Sequence, residues 1–129
     1  MKKPRVAFFS PFQPVPSGIS EYSEDLLPEL SRHLDLDLFV EREGIGSHLK
    51  ERYKIFKAED YPSMAESYDM PLYQMGNNVH HLYIYPFIKN FPGIVVLHDT
   101  VLHHFYIEAT LARDDPDSYV QLMEACYGE

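Results

Sequence analysis

Three short polar clusters stand where this chain leaves runs of strand-like residues. Ser17-Gly18-Ile19-Ser20 comes after Arg5 to Ser10, Gly76-Asn77-Asn78 after Met70 to Met75, and His98-Asp99 after Gly93 to Leu97. Gly18 lies where a loop enters a helical stretch. A missing side chain there lets a phosphate oxygen approach backbone N–H groups and the positive end of the helix dipole, although a tight turn or a cap accounts for one glycine equally well. His98 brings an imidazole that can reach a sugar hydroxyl or a carbonyl once the ring is held. Asp99 can cap the next helix and so fix the loop that holds that ring. A histidine leaving a buried strand can also simply bond to backbone.

Other chemistry is excluded by pattern. Neither GxxxxGK[ST] nor GxGxxG occurs, which removes a P-loop and the dinucleotide fingerprint of an NAD-type oxidoreductase. The pairs His80-His81 and His103-His104 invite a metal, but adjacent residues on a helix point about 100° apart and cannot chelate together. With no HExxH and a single cysteine, Cys126, no metal site is expected.

The elements that must position these clusters alternate. Arg5 to Ser10 is a short apolar run suited to a strand buried on both faces. Pro11 to Gly18 holds three prolines and a glycine and reads as a loop. Ile19 to Leu34 then places Ile19, Tyr22, Leu26, Leu27, Leu30 and Leu34 at helical spacing. Asp35 to Val40 alternates acidic and apolar residues, predicting a second strand, and Arg42 to Lys50 reads as a loop or short helical turn. Tyr53 to Lys57 predicts a third strand, Glu59 to Ser67 a short helix with Pro62 in its first turn, and Met70 to Met75 a fourth strand. Val79 to Asn90 has helical spacing that Pro86 interrupts, predicting a kinked or short helix. Gly93 to Leu97 is a fifth strand, Thr100 to Arg113 is helical, and Asp115-Pro116 opens a last helix to Cys126. Strands alternating with helices predict an α/β, doubly wound, mainly parallel sheet with helices on both faces. Ligands of such sheets bind outside the carboxyl ends of the strands, where all three clusters fall.

At 129 residues the chain has the size of one domain. Twenty acidic against eleven basic side chains, for a net charge of −9, argue against nucleic acid as partner. The lone cysteine suits a reducing compartment, and hence the cytoplasm. No segment approaches the roughly 20 apolar residues that span a bilayer, and Met1-Lys2-Lys3 leads into a stretch too short for a signal peptide. The ten tyrosines and eight phenylalanines are expected mainly in the core.

Taken together, FFSPFQPVPSGISEYSEDLLPEL, LYQMGNNVHH and PGIVVLHDTVLHHF, with the spacing between them, resemble the N-terminal domain of the family 4 retaining glycosyltransferases. The resemblance covers nearly the whole chain and implies a Rossmann-like half of a GT-B fold. In such two-domain enzymes this half mainly receives the acceptor. The resemblance implies that Ser17, Gly18 and Ile19 lie against the donor diphosphate and that His98, followed by Asp99, reaches the transferred sugar. Asn77 with His81 would line the cleft. Ser17 stands where many relatives have another glycine, and His80 precedes the matched His81. The implied donor is a UDP- or GDP-sugar and the acceptor a carbohydrate or a lipid-linked one, the latter bringing peripheral membrane contact of the whole enzyme. No cofactor or metal is implied.

The resemblance also implies a C-terminal domain that grips the nucleotide through an E-x7-E pair and nearby basic residues. These 129 residues contain no such domain, so alone they are expected to be inactive. The chain stops just past its last helix and reads as a piece of a longer protein. Glu21, Glu24 and Asp25 sit on the solvated face of a helix and do not replace the missing pair. A non-catalytic nucleotide- or sugar-binding module of the same fold is the alternative, and fold alone does not choose between them.

Overall fold

The computed structural model describes residues 2–128. Five strands, β1 (Arg5–Phe9), β2 (Asp35–Val40), β3 (Lys54–Lys57), β4 (Met70–Met75) and β5 (Ile94–Leu97), form one sheet in the order β3-β2-β1-β4-β5. Every pairing is parallel. The helices are α1 (Gly18–Leu30), α2 (Tyr61–Met64), α3 (Tyr85–Asn90), α4 (His103–Ala109) and α5 (Pro116–Tyr127). This is the Rossmann-like, doubly wound architecture read from the sequence.

Strand order dictates which face each connection covers. From β1 the chain steps outward to β2 and β3, then returns across the sheet to β4 and steps outward the other way to β5. Parallel crossovers of one hand place connections that travel in opposite directions on opposite faces. Accordingly, α1 and the turn around Leu49 pack with Phe8, Leu38 and Leu72 on one face. Residues of α2 and α3 pack with Phe9, Phe39 and Tyr73 on the other. The second face is largely aromatic: Phe9 lies 4.9–5.2 Å from Phe39, Tyr61, Tyr73 and Phe87, ring centre to ring centre. The Tyr73 hydroxyl, deep in this cluster, donates to the Phe91 carbonyl at 2.7 Å.

Several elements differ from their sequence reading. Helix α1 ends at Leu30, four residues early, although Leu30 and Leu34 both still pack on the core. Of the kinked or short helix read over Val79 to Asn90, the short one forms, as α3, with Pro86 in its first turn, where no N–H is needed. Residues 79–81 form a separate 3₁₀ turn. Helix α4 begins only at His103, because residues 98–102 form the loop described below. Strand β5, whose unbroken apolar run suits a doubly covered strand, is an edge on which Ile94, Val95 and Leu97 are exposed.

The two acidic residues of β2 part: Asp35 is exposed and Asp37 is not. Asp37 is buried, held by Arg5 Nη2 at 2.7 Å and by the Tyr68 hydroxyl at 2.8 Å. The Arg5 guanidinium lies 4.7 Å from the Tyr68 ring centre, and the Arg5 amide donates to Asp69 at 2.7 Å. This network closes the amino-terminal end of the sheet. Burial and the bond to Asp37 push the Tyr68 hydroxyl up, so it stays a donor at any ordinary pH. Tyr68→Phe keeps the ring and removes one bond to a buried carboxylate, so urea unfolding is expected to show a loss of about 1.5–3 kcal/mol.

Candidate functional site

Sheet order reverses between β1 and β4, so the loops leaving these two strands diverge to opposite faces and leave a crevice between them. The loop after β1 is held closely. Phe12 is buried, Gln13 N–H donates to Glu24 at 2.9 Å, and Gly46 N–H donates to the Gln13 carbonyl at 2.9 Å. Ser17 caps α1 from extended backbone, its hydroxyl accepting from Ile19 N–H at 3.2 Å. The Ser20 amide is also taken, by the Ser17 carbonyl at 3.0 Å. The Gly18 amide has no partner among the described residues. A methyl group added at Gly18 would meet nothing within 4 Å, and its backbone is not left-handed. Neither a turn nor close packing within the chain therefore calls for glycine at this position. The hollow beside it is lined by Gln13 to Gly18 and by Glu21, which lies over the positive end of the helix.

Gly76, after β4, is the opposite case. A Cβ there would stand 2.5 Å from Ile19 Cδ1 and 2.9 Å from His81 Nε2, so only glycine lets α1 and the buried imidazole close on this loop. Asn77 is held through both backbone and side chain: its backbone N–H donates to Asp99 Oδ2 at 2.9 Å and its side-chain oxygen accepts from Phe105 N–H at 2.7 Å. Asn77, from another loop, thus supplies a side-chain acceptor to the first turn of α4. Asp99 does not cap the helix that follows it; it fixes the loop after β4 instead, since three residues separate it from His103. Asn78 accepts from His80 N–H at 3.0 Å.

His81, expected to line the cleft, lies beneath it and is fully buried, whereas His80 is half-buried. Its Nδ1–H donates to the Gln74 carbonyl at 2.9 Å, and its Nε2 is buried without a partner. Burial lowers the His81 pKa to about 4, outweighing the backbone bond that favours the charged form. His98 is exposed at the rim, level with Gly76 across the β4–β5 pair. Its amide donates to the Met75 carbonyl at 2.9 Å, and its ring packs edge-on against Tyr22 with centres 4.8 Å apart. The ring Nε2 lies 2.6 Å from Gln74 Oε1.

Of the residues read from the sequence, the structure brings Ile19 against Gly76 and ties Asn77 through Asp99 to the loop of His98, while His81 lies beneath the rim. Gln74 was missed by that reading and is fully buried, as is Ser20 of the first cluster, and each has a side-chain polar atom lacking a partner among the described residues. The available signal was a glutamine inside the apolar strand MPLYQM. The other histidine pair separates, His103 meeting Tyr119 at 3.3 Å and His104 meeting Glu108 at 3.5 Å. No group of three or more His, Cys, Asp or Glu among the described residues is placed to hold a metal ion, and none of the described helices is long and apolar enough to cross a membrane. Comparison with family models, with curated proteins and with solved structures finds no match to this chain.

The buried neutral His81 sets a pH dependence. An unfolded histidine protonates near pH 6.5, but the folded one only near 4. Folding stability from this group is complete above about pH 6.5 and falls as pH drops toward 4, by on the order of 3 kcal/mol in all. Urea unfolding at a series of pH values is expected to show this slope in the native chain and a shallower one in His81→Gln.

Proposed function

We propose that this chain is the acceptor-side wall of a glycosyltransferase that moves a sugar from a sugar nucleotide to an acceptor hydroxyl with retention at the anomeric carbon. The observation that carries this reading is the join of three loops at the β1/β4 crevice, where Gly18 has no reason within the chain to be glycine. A group that lies against the α1 terminus from outside supplies that reason, and a diphosphate is the group such a terminus favours.

The chemistry follows from charge. Departure of a nucleoside diphosphate builds negative charge on oxygen and positive charge on the sugar ring. The free Gly18 amide and the α1 dipole meet the first, and His98, held at the rim, meets the sugar. Glu21 and the loops after β1, β4 and β5, which contain no lysine or arginine, cannot neutralise a diphosphate alone. In this reading a second domain, outside these 129 residues, brings the basic side chains and the grip on the nucleotide, and closure between the two walls excludes water.

Screening the full-length protein against common UDP- and GDP-sugars tests the reading directly, and absence of transfer with all of them would reject it. In the active enzyme His98→Ala is expected to lower kcat by the equivalent of about 2–4 kcal/mol while donor Kd changes little. Gly18→Ala is expected to behave in the reverse sense. Its unfolding free energy should hold or rise by no more than about 1 kcal/mol, since alanine is the better helix former. Calorimetric donor binding should weaken by roughly tenfold or more, about 1.4 kcal/mol.

A further inference from the structure

Among the described residues, Gln74 alone is hydrogen-bonded to both His81 and His98. Its backbone carbonyl accepts from His81 Nδ1–H at 2.9 Å, and its side-chain oxygen lies 2.6 Å from His98 Nε2. The side chain is fully buried on the α1 side of β4, so it has no water with which to exchange that bond. An amide oxygen carries no proton; the hydrogen between it and the ring therefore sits on His98 Nε2. A neutral imidazole with its proton on Nε2 has a lone pair on Nδ1.

We infer that Gln74 is a positioning residue that locks His98 as its Nε2–H tautomer, so that the ring meets its ligand through Nδ1 as a hydrogen-bond acceptor. Tyr22 sets the plane of the ring and Gln74 sets its proton. The group that fits is a hydroxyl, which can donate; a carbonyl or phosphoryl oxygen cannot donate to this ring. This deepens the glycosyl-transfer reading and rests on it for the identity of the hydroxyl as one on the sugar. It also accounts for a contact that strengthens during reaction. As positive charge grows on the sugar ring its hydroxyls become better donors, so an acceptor nitrogen binds the transition state more tightly than the ground state.

Two readouts on the full chain separate this inference from the functional reading. The first is the ring ¹⁵N pattern of His98 in histidine-labelled protein, assigned with His98→Gln. An Nε2–H pattern is expected, and an Nδ1–H pattern would overturn the inference whatever the protein catalyses. The second is Gln74→Met, which fills the same space without an acceptor. It should blend the two His98 tautomers and lower kcat by about 10- to 100-fold, as for other groups that orient a functional imidazole, with donor KM nearly unchanged. A folded Gln74→Met protein with the native tautomer or native kcat would sink the proposal. Lack of transfer by the native enzyme would instead remove the functional reading and leave the tautomer result standing.

Discussion

Crossovers of one hand cannot add strands on both sides of β1 without sending their connections to opposite faces. That constraint makes the crevice between β1 and β4 and brings the loops after β1, β4 and β5 to one rim. Helix α1 consequently starts at the crevice with its positive end toward it, while the connection after β4 turns beneath the opposite face and carries His81 into the interior. The two ends of the sheet then have different tasks. At the amino-terminal end Arg5, Asp37 and Tyr68 satisfy one another in a closed network. At the carboxyl-terminal end polar groups are held in place but left facing outward.

Rigidity at that rim comes from short bonds between loops that are far apart in the sequence. Asp99 reaches the Asn77 amide, the Asn77 side chain reaches the start of α4, and Gln74 holds His98. Gly76 lets Ile19 and His81 close around the same point. In the proposed reading each bond fixes a group before a ligand arrives, which lowers the ordering cost of binding and of reaction. Among the described residues, the three buried side-chain polar atoms without partners, on Ser20, Gln74 and His81, come from α1, β4 and the turn after β4, the elements that frame this rim. Unsatisfied buried groups are costly, and their gathering here is the kind of local sacrifice of stability that accompanies a site.

The charged side chains of the rim are acidic. Fixed positive potential comes from the α1 dipole, while Glu21 and Asp99 add negative charge and the three loops add no lysine or arginine. His98 offering a lone pair at Nδ1, as in the proposed reading, agrees with such a surface, because it asks a hydroxyl of its ligand rather than an anion. In the proposed reading, recognition of the sugar belongs to this wall and neutralisation of the diphosphate to another.

By itself the sequence determined the five strands, their parallel α/β order and the three clusters at the strand ends, since apolar runs, prolines and glycines act locally on the backbone. Pro116 after Asp115 begins α5 as read, for the same reason. What only the tertiary structure decided is which partner each polar side chain takes. Asp99 was legible as a helix cap, but bonds Asn77; Asp37 was legible only as part of a strand's alternation, and the fold buries it against Arg5 and Tyr68. His81 was legible as a cleft residue, yet packing at Gly76 puts it underneath, and Gln74 carried no motif at all until β4 and β5 were laid side by side. Local propensity acts over one turn or one strand, whereas these bonds span from 7 residues (Gln74 to His81) to 32 (Arg5 to Asp37), separations that the order of strands in the sheet brings together.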